Sequence, residues 1–281
     1  HGYQIEGTAC GCTLINPSWI LTAGHCLINN RTHLELMKKW YGLFVYMDST
    51  KAYINGNIED VEKRHITTVY FHPKYHIKYS ALGAILELRN DVAVARLTLP
   101  FLITQTIKTV TLATANKGLN VCEKGIIIGG DKMRRRNKYN DILYSVVHSR
   151  QLKDLDDEFR PKVVRDTLFY SQIGWGEGHP LEYDYGGPFV CYTEGSKPVQ
   201  YGVMSSLHVH QHSVRIDFES VAKHMSFIEK YVPNVQSFTI KQKIAHSRQA
   251  ISSAPRVQFD SLLVLGITCT CLKLYLSLFC T

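Results

Sequence analysis

Short apolar runs broken by turn residues fill the first part of the chain, from residue 1 to about 130. Thr13–Ile15, Trp19–Thr22, Leu43–Met47, Ile66–Phe71 and Val92–Leu97 are examples. Runs of that length, with turn signals between them, predict strands of an all-β sandwich or barrel. The pattern continues from about 140 to 210, through Ile142–Val147, Pro188–Tyr192 and Val199–Ser205. One segment departs from it. Phe218, Val221, Ala222, Met225, Phe227, Ile228 and Val232 recur at helical spacing before Pro233, which predicts an amphipathic helix ending near 232. Residues 234–260 are polar and aperiodic, as a linker would be, and 261–281 are almost wholly apolar.

Composition leaves this picture intact. With 281 residues, 45% hydrophobic and 20% charged, the chain is long enough to bury a sizeable core and is not disordered as a whole. It opens on His1 with no charged-then-apolar leader, so a leader is expected upstream. The formal net charge of +8 is mostly dispersed, with one dense run at Lys132, Arg134, Arg135, Arg136 and Lys138. That run reads as a solvated loop or as an exosite for a polyanion or acidic partner. No aromatic residues interleave it, which argues against nucleic acid.

Three blocks carry candidate chemistry. Cys10-Gly-Cys12 followed by Trp19-Ile-Leu-Thr-Ala-Gly-His25-Cys26 reads as strand, turn and a second strand ending in histidine. A Cys10–Cys26 bridge would aim the imidazole as a general base requires. Asn90-Asp91-Val-Ala-Val-Ala opens an apolar strand with an aspartate, a capping residue or an orienter for a histidine. Glu182-Tyr183-Asp184-Tyr185-Gly-Gly-Pro188 forces a special backbone path ahead of a buried strand.

In this order the three blocks resemble the histidine, aspartate and serine sites of the trypsin/chymotrypsin peptidases. Phe71-His-Pro-Lys-Tyr75, Gly202-Val-Met-Ser205 and the terminal helix resemble further family landmarks, over roughly residues 1–233. The resemblance implies two six-stranded antiparallel β-barrels with a C-terminal helix, and Cys10–Cys26 and Cys122–Cys191 disulfides. It places His25 as base and Asp91 as orienting carboxylate. No cofactor or metal is expected.

The departures fall on the chemistry. Tyr185 stands where the family has its serine. Tyr183 stands where a glycine N–H lines the oxyanion hole, and one such donor is worth roughly 10²–10³ in rate. His179 occupies the base of the primary pocket, which Ser205 also borders. Leu181 removes the disulfide that braces this pocket. Asp184 corresponds to the acid that pairs with a released amino terminus, and nothing in the nine residues before Cys10 resembles one. The leading expectation is a non-catalytic serine protease homologue that binds a protein partner, such as an active protease or its substrate. The alternatives are an active serine endopeptidase using another hydroxyl, for which Ser205 is the nearest candidate, and a cell-surface polyanion binder using 132–138.

Smaller signals remain. Asn30-Arg-Thr32 is a glycosylation sequon. His208, His210 and His212 alternate, either in a polar loop at the cleft rim or as imidazole ligands on one strand face. Cys12, at a usual glycine position, reads as a buried free thiol. The apolar 261–281 tail, with Ser252, Ser253 and Ala254 upstream, has the layout of a GPI-anchor signal; a tail-end membrane helix is the alternative. The expected location is secreted or on the outer face of the plasma membrane.

Overall fold

The structure is a computed structural model, and it describes residues 8–27, 43–47, 51–52, 62–81, 85–114, 122–130, 140–151, 166–174, 184–192, 197–238 and 268–273. In its first half, β1 is Thr8–Asn16, β2 Trp19–Thr22, β3 Leu43–Met47, β4 Lys51–Ala52, β5 Glu62–Phe71, β6 His76–Tyr79, β7 Ile85–Arg89, β8 Ala93–Leu97 and β9 Thr111–Ala113. In its second half, β10 is Lys124–Gly130, β11 Asn140–His148, β12 Arg150–Gln151, β13 Leu168–Gly174, β14 Pro188–Tyr192, β15 Pro198–Val209 and β16 Ser213–Ser220. The helix α1 spans Val221–Tyr231, and β17 (Ser237–Phe238) and β18 (Thr268–Lys273) follow.

Two antiparallel sheets dominate, as the all-β reading expects. The first closes into a six-stranded barrel in the order β1-β18-β3-β5-β8-β2. The second is a curled ten-stranded sheet ordered β12-β13-β16-β15-β14-β10-β11-β4, with β9 and β17 attached in parallel. It is larger than the expected six strands because the two-residue β12 and β4 extend its ends and β9 and β17 attach beside β15. One barrel position is also filled unexpectedly. Thr268–Lys273, from within the 261–281 tail, lies between β1 and β3.

Period-two alternation explains the core. Along β1, Cys10, Cys12 and Leu14 face the interior of the first barrel, whereas Ile15 joins a second cluster with Trp19, Leu21, Val92 and Val94. That second cluster also takes Val190 and Val203 from the other sheet and Val221, Met225, Phe227 and Ile228 from α1. The helix therefore seals the seam where the two sheets meet. Each such side chain, fully buried, contributes roughly 1.5–3 kcal/mol. Phe169, Phe189 and Phe218 anchor a third cluster within the second sheet, their ring centroids 5.1–5.2 Å apart.

The helix begins later than its periodicity suggests. Phe218 belongs to β16, where it alternates with the buried Val214 and Ile216, and α1 starts at Val221. It ends at Tyr231, two residues before Pro233, whose ring and missing N–H prevent continuation. Among the described residues no helix is long and apolar enough to cross a membrane.

Candidate active site

His25 sits in a short 3-10 turn, Gly24–Leu27, entered directly from β2. The Cys10–Cys26 disulfide, with Cα atoms 6.0 Å apart, ties this turn to β1. A second disulfide joins Cys122 to Cys191 in the other sheet. Asp91 precedes β8 and follows Asn90, which takes the left-handed conformation at φ 47°. Asparagine tolerates that region better than most residues.

Asp91 is fully buried and collects three donors. The His25 backbone N–H reaches Oδ1 at 2.8 Å, His25 Nδ1 donates to Oδ2 at 2.7 Å and Ser205 Oγ donates to Oδ2 at 2.8 Å. With its proton on Nδ1, the His25 ring has Nε2 as its basic nitrogen. The ring is fixed in tautomer and direction, as a base requires.

The turn Asp184–Gly187 brings Tyr185 against this imidazole. Gly187 N–H donates to the Asp184 carbonyl at 2.9 Å, and Gly186, at φ +83°, donates to Met204 O at 2.8 Å. The Gly11 N–H donates to Tyr185 O at 2.7 Å, so β1 holds the turn from the other sheet. This approach needs glycine at position 11, because a Cβ there would lie 2.7 Å from Gly187 Cα. The Tyr185 ring meets His25 edge-on, with centroids 4.9 Å apart, and packs against both the first and the third core clusters.

Behind Asp91 lies a second acid–imidazole pair that the sequence reading does not include. Glu219 Oε1 accepts the Asp91 backbone N–H at 3.0 Å, and its Oε2 contacts His224 Nε2 at 2.9 Å. Both side chains are 1% exposed. His224 in turn meets the His72 ring edge-on at 4.9 Å, and the Phe227 ring also meets it edge-on, at 5.2 Å. Burial, then the neighbouring His224 and Lys74, hold His72 down to about 4. Tyr75, whose ring crowds Gly24, has its phenol pushed well above the usual range by burial and then by Asp91.

A depressed histidine makes stability sensitive to acid. Native His72 stays neutral down to about pH 4, whereas the unfolded chain takes up that proton near the ordinary 6.5. Its contribution is complete above pH 6.5 and is lost as pH falls toward 4. Groups facing it are His224, Lys74 and, through His224, Glu219. His72→Gln is therefore expected to narrow the gap in Tm between pH 7 and pH 4.5. An unchanged gap would assign the acid sensitivity to another group.

Other expected residues are placed as follows. Ser205 is buried against Asp91. Asp184 is buried too. Tyr183, His179, Leu181, Asn30 and the Lys132–Lys138 run likewise lie outside them. Of the three alternating histidines, only His208 lies on β15, where Nε2 contacts Asp217 Oδ2 at 3.0 Å. His210 and His212 follow the strand end, so the three share no strand face. Among the described residues no group of three or more His, Cys, Asp or Glu is placed to hold a metal. Cys12 is not a free thiol; its sulfur is engaged in a disulfide.

A family model described as Trypsin matches residues 2–227. The mouse kallikrein 1-related peptidase b3 is 27% identical over 202 residues, covering 67% of this chain and 68% of that protein. The mouse kallikrein 1-related peptidase b24 is 24% identical over 184 residues, covering 65% of each. The rat atrial natriuretic peptide-converting enzyme is 23% identical over 200 residues, covering 71% of this chain but 16% of its own length.

Proposed function

The chain belongs to the trypsin family, and we propose that it is a non-catalytic member that acts by binding a protein partner outside the cell. The observation that carries this reading is Tyr185 against His25 at 4.9 Å. In this reading the tyrosine takes the place of the family's serine. An attacking oxygen must lie about 3–3.5 Å from the carbonyl carbon and within reach of the base. A phenol carries its oxygen at the far end of a rigid ring. Here that ring presents its face or edge to the imidazole and packs into two core clusters, so it occupies space a substrate carbonyl needs. Tyr183 adds a second loss, at the oxyanion-hole position.

Ser205 is a poor substitute nucleophile. Its hydroxyl proton is given to Asp91 Oδ2 at 2.8 Å, and the residue is 5% exposed. The base His25 has Nδ1 on that same carboxylate, so His25 and Ser205 are both donors to Asp91 rather than to each other. In this reading the His25–Asp91 pair, still joined at 2.7 Å, is kept as part of a surface that holds a protease or its substrate without turnover. Two disulfides support an oxidising compartment as its place of action, secreted or at the outer cell surface.

Fluorophosphonate labelling tests the proposal. The native chain is expected to remain unlabelled, and Tyr183→Gly/Tyr185→Ser is expected to react in a His25-dependent manner. Labelling of the native chain that disappears in His25→Ala would overturn it.

A further inference from the structure

We propose that Cys12 and Cys269 form a third disulfide, which fastens β18 into the first barrel. Cys12 is fully buried in the barrel core, and its sulfur is engaged in a disulfide. Its partner is none of Cys10, Cys26, Cys122 and Cys191, which are joined to one another. The remaining cysteines are 269, 271 and 280. In the β1–β18 ladder Cys269 lies directly opposite Cys12, and Cys271 lies directly opposite Cys10.

Geometry selects between them. Directly opposed residues of an antiparallel pair have Cα atoms about 4.5–5.5 Å apart. That lies inside the roughly 4.4–6.8 Å that a disulfide spans. Opposed residues also share a face of the sheet, whereas diagonal neighbours are about 7–8 Å apart. Cys269 therefore fits Cys12, and Cys271 is two positions out of register. Cys10, which does face Cys271, is already taken by Cys26.

The bond forms when the two thiols lose two protons and two electrons to an oxidised protein disulfide of the thiol-exchange class, which becomes a dithiol. The same oxidant class closes Cys10–Cys26, so no new redox partner is needed.

The consequence is topological. β18 pairs with β1 along Thr8–Thr13 and with β3 along Leu43–Tyr46, so it fills an interior position of a closed barrel. Removing it would leave two unpaired strand edges and an odd thiol in the core. Residues 268–273 cannot occupy this position and cross a bilayer at the same time. A disulfide to Cys12 commits them to the barrel. This inference does not depend on whether the cleft is catalytic.

Mapping of the full chain, secreted from an oxidising host and alkylated without reduction, tests it. Trypsin leaves Cys10, Cys12 and Cys26 in the peptide 1–31, and Cys269 and Cys271 in 257–273. The expected result is a linked 1–31/257–273 mass that resolves into two peptides on reduction. It persists in Cys271→Ser and is lost entirely in Cys269→Ser. Peptide 1–31 found unlinked with one alkylated cysteine would overturn the proposal, as would a link surviving in Cys269→Ser. Where Cys269→Ser is not secreted, the native and Cys271→Ser maps decide: a persistent link supports the pair, and its absence from either map refutes it.

Discussion

Gly186→Ala is expected to destabilise the fold by about 4 kcal/mol or more, near the upper end for single substitutions. Gly186 lies at φ +83°, a region costing a residue with Cβ about 1–2 kcal/mol. Strain is the smaller part. The new methyl would run into Thr22 Oγ1 and the Gly11 carbonyl oxygen, with Ala23 N 3.1 Å away. None of these neighbours is free to move. Thr22 Oγ donates to Gly11 O at 2.8 Å, and Gly11 N–H donates to Tyr185 O at 2.7 Å. Gly186 itself is held by its N–H on Met204 O. The substitution therefore strikes the junction where β1 and β2 of the barrel meet the turn leading to β14. For a chain of this size the fall in Tm is about 10 °C or more. Thermal unfolding measures it. A drop of only a degree or two would mean that the turn readily adopts another backbone path.

Much of the fold is legible in the sequence because short apolar runs, bounded by turn residues, fall within β1, β2, β5, β8 and β14. The approach of His25 to Asp91 is different. The two lie 66 positions apart, and spacing alone carries no signal for it; only the likeness of whole blocks does. The β16–α1 segment hides its boundary for a physical reason. Val214, Ile216 and Phe218 alternate at period two and run without a turn into Val221, Met225 and Ile228 at helical period. The two patterns overlap at Phe218.

The charged residues between those apolar positions mislead further. Arg215, Asp217 and Glu219 look like a solvated strand face, yet all three are buried. They escape the cost of burial by pairing: Arg215 Nε to Asp217 Oδ1 at 2.9 Å, and Glu219 with His224. Partner identity is a tertiary fact with no local signature. The tail poses the same difficulty. A run of about 20 apolar residues matches a bilayer span, but part of the same run suits a strand buried in a barrel, and apolarity alone does not separate the two.

Glu219 is where these threads meet, and its removal carries the second large expectation. Glu219→Leu deletes the partner of a buried imidazole and the acceptor of the Asp91 backbone N–H. Removing one side of a buried hydrogen-bonded pair strands the other, at about 1–3 kcal/mol. Leaving a buried amide without an acceptor costs about 1–3 kcal/mol. The two losses are separable. Adding His224→Leu removes the stranded imidazole and is expected to recover most of the first loss, while the second remains because Asp91 N–H is still orphaned. Glu219→Gln keeps an oxygen at the Asp91 N–H and is expected to fall between the native protein and Glu219→Leu. Urea unfolding of the native protein, Glu219→Leu, His224→Leu and the double variant gives the coupling energy directly. An additive result, with Glu219→Leu/His224→Leu worse than either single variant, would mean that the pair contributes packing rather than a mutual hydrogen bond. The site would feel the difference. Asp91 orients His25 through its carboxylate and is itself positioned through its backbone by Glu219. In Tyr183→Gly/Tyr185→Ser, any fluorophosphonate reactivity should therefore fall when Glu219→Leu is added and be largely kept with Glu219→Gln. That ordering separates a positioning role from bulk stability, because it is read at a temperature where all the proteins remain folded.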